Sequence, residues 1–243
     1  DRSRIKYGSS KVQMLKGGAS HSVKETSRGD ALTGGTGTDT SVGSNSNDTY
    51  WVDHKGDRPR ERAGDGTDLV RTNLKSYTLG DNIENLTYVG SGRFTGNGNS
   101  LDNTITGGAR NDRLNGKDGN DQLIGAAGKD TLTGGEGSDT YVYNRGGGKD
   151  TINNRDSGGA DSLVFGSGIS EDHLWFGKTG SDLLLTLRGT GNSDSVRVKG
   201  WYSNSSSRLS SFELSDGSEL PASGVQKMVQ AMASFSTKSG APT

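Results

Sequence analysis

Four aspartates recur at nine-residue intervals: Asp112, Asp121, Asp130 and Asp139. Each stands two residues ahead of a large apolar side chain, in turn Leu114, Leu123, Leu132 and Tyr141, and each follows a glycine-rich run. The units read GGARNDRLN, GKDGNDQLI, GAAGKDTLT and GGEGSDTYV, without a gap from Gly107 to Val142. Asn103 and Ile105 carry the frame one unit further back. Carboxylates repeated beside tight turns are the donors of a hard cation. Calcium takes about six to eight oxygens from carboxylates and backbone carbonyls. One turn cannot supply that many, whereas two stacked turns can.

The elements that must position these groups follow from the period. One apolar site in nine fits no heptad, but it fits a coil of short strands and tight turns. Each unit supplies one turn and one strand, so two units close an 18-residue coil and turns 18 residues apart stack on one edge. The resulting pairs are Asp112 with Asp130, Asp121 with Asp139, and Asn103 with Asp121. Glycine at positions one, two and four is expected to supply left-handed backbone for the turns. Lys117 and Ala126 replace the second glycine, and Arg110 replaces the fourth in the first unit, which weakens the Asp112 turn.

A worn copy of the frame leads the chain. Tyr50 steps back in nines through Ser41, Leu32, Val23 and Met14 to Ile5, and the residues two before them are Asp48, Asp39, Asp30, His21, Val12 and Ser3. The fold signal therefore reaches the N-terminal residues, while the carboxylates stop at Asp30. The first three turns read as degenerate and free of metal, and Asp30 with Asp48 is the pair expected in this block. Serines 44 and 46 replace glycine in GSNSNDTYW. GDGTDLV, GGGKDTI and GGADSLVF keep the grammar in turns enlarged by two residues and add Asp68, Asp150 and Asp161 as further ligand candidates. Between the blocks, asparagine-rich turns suit hydrogen-bonded ladders more than metal, with Ile83, Leu86 and Phe94 directed to the core.

After Asp161 the pattern changes. Leu174–Phe176, Leu183–Leu187 and Val196–Val198 read as short strands, TGSD and GTGNSD as hairpin turns, and LSSFELSDGSELP as another hairpin. Val225, Met228, Val229, Met232 and Phe235 fall at helical spacing.

Composition narrows the function. The 243 residues include 40 Gly, 22 Asp against 7 Glu, and no Cys. Leu, Ile, Val and Phe make up only about 17% of the chain, a level at which an ordinary globular core is hard to build. The absence of Cys excludes disulfides and Cys-ligated zinc. A net charge of −1 gives no basic footprint for nucleic acid. No apolar run approaches the roughly 20 residues of a membrane span. Neither H-E-x-x-H nor G-x-S-x-G occurs. His21, His54 and His173 are far apart, and Trp175, Trp201 and Tyr202 read as core rather than as a sugar platform. The chain does not open on Met and reads as a piece of a longer one.

The four consecutive units resemble the RTX family, the calcium-binding parallel β-rolls of secreted bacterial proteins. NIENLTY and GNGNSLDN resemble linker repeats of such proteins, and LWF, GWY and VQAMASF resemble the domain that commonly ends haemolysin-type calcium-binding proteins. The resemblance implies an all-β fold: a right-handed parallel β-roll with a β-rich C-terminal cap and a short helix. Its parts would be degenerate then partly intact repeats over 1–60, a linking solenoid over 61–105, the intact roll over 106–163, the cap over 164–222, and the helix and tail over 223–243. It makes Asp112, Asp121, Asp130 and Asp139 side-chain ligands of several calcium ions. Carbonyls of the surrounding turn glycines, Gly107, Gly108, Gly116, Gly119, Gly125, Gly128, Gly134, Gly135 and Gly137, would complete the sites, and Asp30, Asp39 and Asp48 would serve the first block. It implies a non-catalytic module at the C-terminal end of a secreted bacterial protein, exported through a type I secretion apparatus and folding on calcium outside the cell. The alternative is a polysaccharide-binding accessory module of a carbohydrate-active enzyme or adhesin. A parallel β-helix lyase or epimerase would need a basic cluster at a cleft, which the sequence does not display.

Overall fold

The computed structural model describes residues 12–14, 22–24, 29–155, 158–190 and 193–236. Positions Ser3, Ile5 and His21 of the leading frame lie outside them. Short strands alternate between two faces of a coil. The first face runs through Val12–Met14, Ala31–Thr33, Thr49–Val52, Leu69–Thr72, Asn85–Tyr88, Thr104–Thr106, Gln122–Ile124, Thr140–Tyr143 and Ser162–Phe165, each parallel to the next. The second face runs through Ser76–Thr78, Thr95–Asn97, Arg113–Asp118, Thr131–Glu136 and Lys149–Ile152, again in parallel. This is the parallel β-solenoid that the nine-residue period requires.

The apolar position of each unit becomes one rung of an internal column. Leu32, Tyr50, Val70, Leu86, Ile105, Leu123, Tyr141 and Leu163 are register partners in succession, and all are buried. Gly96, Leu114, Leu132 and Ile152 form the facing column. Each large rung contributes roughly 1.5–3 kcal/mol by burial. A chain with few apolar residues thus sets its repeat positions in two facing columns. Ile83 and Phe94 join the core, with the Phe94 ring stacked on Tyr88 at 4.5 Å.

One register departs from the frame. Gln13, not Met14, pairs with Leu32, an offset of 19 residues instead of the 18 of two nine-residue units. Val23 keeps the count and pairs with Ser41.

The second face is also broken once. Ser22–Lys24, Thr40–Val42 and Arg58–Arg60 form a separate three-stranded sheet, and Arg58–Arg60 does not pair with Ser76–Thr78 in the next coil. The Arg58 amide donates to Asp39 O, and Arg60 O accepts from the Gly43 amide. Residue 59 therefore faces the next coil. It is Pro59, which has no N–H to donate.

The C-terminal segment extends both faces. Leu174–Thr179, Asp182–Leu187 and Ser195–Val198 form antiparallel hairpins, and the last of them pairs in parallel with Lys149–Ile152. Ser211–Glu213 pairs in parallel with Ser162–Phe165 and folds back on Glu219–Pro221. The helix Ala222–Ser236 buries Val225 and sets the Met232 sulfur 3.3 Å from the Phe176 amide. It is neither long nor apolar enough to cross a membrane, and no described helix is.

Candidate metal centre

Each aspartate of the repeat ends a turn and opens a strand, so the coil stacks them. They are linked by a specific bond: Oδ1 of each accepts the backbone amide of the equivalent residue one coil back. On one edge the amides of Asp30, Asp48, Asn103, Asp121 and Asp139 donate to Asp48, Asp68, Asp121, Asp139 and Asp161 at 2.7–3.0 Å. The Asp68 amide donates to Glu84 Oε2 at 2.7 Å. On the other edge the amides of Asp39, Phe94, Asp112 and Asp130 donate to Asp57, Asp112, Asp130 and Asp150 at 2.7–3.1 Å. These carboxylates lie deep. Asp48, Asp68, Asp112, Asp121, Asp130, Asp139 and Asp161 are each only 1% exposed.

The glycines divide into two kinds. Those at position one have ordinary backbone angles, contrary to the expectation of left-handed turns there, and they are needed for space. A Cβ on Gly116 or Gly134 would strike the carboxylate of Asp121 or Asp139, and one on Gly125 would come within 2.6 Å of Asp130 Oδ2. At Gly107 a Cβ would sit 2.7 Å from both Asp112 Oδ2 and the Gly125 carbonyl. The left-handed backbone falls at positions two and four: Lys117 (φ 90°), Gly119, Ala126 (φ 69°), Gly128, Gly135 and Gly137. Gly108 and Arg110, at the same positions of the first unit, do not adopt it, so the Asp112 turn is built differently. Position-four glycines also stack closely. A Cβ on Gly119, Gly128 or Gly137 would press on the carbonyl of residue 101, 110 or 119.

Burial dominates the electrostatics. It pushes the carboxyls of Asp121 to about 7 and Asp130 to about 8, aided by their neighbours Asp139 and Asp150 and opposed by the amides donated to them. Asp150 and Asp68 are raised to about 7 for the same first reason, and Asp48 and Asp112 are raised as well. Oδ2 of Asp121 and of Asp130 is buried with no hydrogen-bond partner. Buried carboxylates with an unfilled oxygen call for a counter-charge. An all-oxygen donor set beside backbone carbonyls, as at Gly107, fits calcium.

The tightest carboxylate group among the described residues lies in the first block. Oxygens of Asp48, Glu61 and Asp68 fall within 4.8 Å of one another. Glu61 is raised to about 7, first by burial. The Tyr50 hydroxyl donates to its Oε1, while Oε2 is buried with no hydrogen-bond partner. Glu61 carries no ligand signal in the sequence, where it sits between arginines in RPRERAG and looks like a solvated residue. Asp57, which takes the place 18 residues after Asp39, is equally hidden. Pro59 stands where that unit's apolar residue should be and hides the frame. The aspartates of the enlarged turns, Asp68, Asp150 and Asp161, join the same ladders as the regular ones.

The remaining candidates have other employment. Trp201 is core, while Trp175 and Tyr202 are half-buried beneath Arg188 and Lys178. His173 bonds within its own turn to Ser170. Asn99 binds the carbonyls of Gly80 and Ile83 and donates its amide to Asn103, the kind of ladder expected of the linking turns.

Comparison with known proteins agrees with this geometry. The RTX calcium-binding nonapeptide repeat matches in four copies, at residues 97–132, 106–141 and 115–152 among them. The haemolysin-type calcium binding protein related domain matches residues 182–223. The endo-1,3-1,4-beta-glycanase ExsH of Rhizobium meliloti (strain 1021) is 38% identical over 103 residues, 42% of this chain. That stretch is 22% of the glycanase, so the chain matches about a fifth of that relative's length. Residues 97–152 are therefore haemolysin-type RTX calcium-binding repeats, wound into a parallel β-roll and followed by the related C-terminal domain.

Proposed function

We propose that this chain is a non-catalytic module of a secreted bacterial protein, folded and stabilised by several calcium ions. The observation that carries the reading is the pair of buried carboxylate ladders, in which Oδ2 of Asp121 and of Asp130 meets no hydrogen-bond donor. Asp112, Asp121, Asp130, Asp139, Asp150 and Asp161 would hold the ions of the second block, with carbonyls of the adjoining turns. Asp48, Glu61 and Asp68 would hold one in the first. Bound calcium would cancel repulsion between stacked turns, so its binding energy becomes folding energy. Sites of the extracellular kind bind at roughly 10⁻⁴ to 10⁻³ M. They would stay empty inside a cell and fill outside it, which suits export of an unfolded chain through a type I apparatus. The glycanase relative supports a carbohydrate-active parent, with chemistry outside these residues.

The test is a calcium titration of the metal-stripped chain followed by far-UV circular dichroism, with magnesium as control. A coil-to-β transition with calcium alone is expected. A full β spectrum in chelator, unchanged by calcium, overturns calcium-driven folding.

A further inference from the structure

The break in the second face leaves a cleft of about 400 Å³ between Arg58–Arg60 and Ser76–Thr78. We propose that this cleft binds an acidic polysaccharide, with a sugar carboxylate on its basic rim and a sugar ring against Tyr77 and Pro59. Lys55 and Arg58 line it and are exposed, and Arg60 projects from the same face of its strand two residues on. The Arg58 guanidinium is already held: Nη1 donates to the carbonyls of Asp57 at 2.9 Å and Lys55 at 3.3 Å. Its other donors are left for a ligand, and an Arg fork matches a carboxylate. The one acid in the lining, Asp57, is buried, and the amides of Asp39, Asp53 and His54 occupy its two oxygens.

The walls choose among anionic partners. Pro59 offers no N–H toward the cleft, so an inserted peptide strand would lack a donor on that side. Tyr77 and Pro59 are half-buried and give flat apolar surface, and Ser76 and Thr78 supply exposed hydroxyls. Flat apolar faces beside hydroxyls and cations match a sugar ring that bears a carboxylate.

The experiment is calorimetric titration of the calcium-loaded full chain with a hyaluronan decasaccharide, a soluble uronate-bearing probe. Cellohexaose and polyglutamate serve as the neutral and acidic-peptide comparisons, and circular dichroism monitors the fold of every sample. Saturable binding of hyaluronan alone is expected, weakened about tenfold by Arg58→Gln and unaffected by Arg113→Gln, which lies on the same face three coils on from Arg58. No binding, equal loss in both variants, or equal affinity for polyglutamate or cellohexaose overturns the proposal. The proposal goes beyond the calcium reading and fails separately from it: glycan binding by a chain that is folded in chelator would keep the cleft and remove the calcium account.

Discussion

Neighbouring residues in one turn carry opposite demands. Gly116 has ordinary backbone angles and is needed because the Asp121 carboxylate lies against its Cα, whereas Lys117 holds a φ of 90° that suits glycine. Gly116→Ala should therefore destabilise the calcium-loaded chain by about 1–3 kcal/mol, the usual cost of forcing atoms into filled space. Lys117→Gly should stabilise it by about 0.5–1 kcal/mol, since relief of left-handed strain exceeds the added chain entropy. Urea melts of the two variants in calcium measure both. Two shifts of the same sign would mean that the repeat's glycines all act through backbone freedom. The sequence pattern marks both positions only as glycine sites. What separates them is contact with a carboxylate five residues on, which no propensity encodes.

At the scale of the element, the period made the coil legible. One apolar residue in nine fixes which side chain enters the core and which carboxylate stacks on which, and it did so for Leu114, Leu123, Leu132 and Tyr141. Turns enlarged by two residues remained readable because the Asp and the apolar residue kept their spacing. The frame failed where a unit lost its apolar residue, as at Pro59, and where a ligand candidate came from outside the unit, as with Glu61. Glu61 lies 13 residues after Asp48 and reaches it only because the coil returns to the same edge. Glu61→Gln should lower the calcium affinity of the first block about tenfold or more, since it removes one charge from a three-carboxylate group whose two aspartates are buried. The second block should bind as before. Calorimetry resolving tighter and weaker calcium steps tests this. An unchanged isotherm would show that Glu61 is only the hydrogen-bond partner of Tyr50.

The whole molecule combines these buried acids into one pH response. In the metal-free fold, burial holds Asp121, Asp150 and Asp68 near 7 and Asp130 near 8, against about 3.9 for an unfolded Asp. The native state thus binds more protons than the unfolded state between roughly pH 4 and 8, and stability must fall as pH rises through that window. Stripped of metal, the chain should hold more β-structure at pH 5 than at pH 8, where the ionised carboxylates leave it a coil. Calcium replaces the protons as counter-charge, so with calcium the order should reverse, and binding near pH 7 should release protons. Far-UV circular dichroism at the two pH values, with and without calcium, gives four signals that decide the matter. A metal-free β signal that climbs with pH would mean that the ladder amides already satisfy these carboxylates as anions. Calcium would then add to a finished fold instead of completing it.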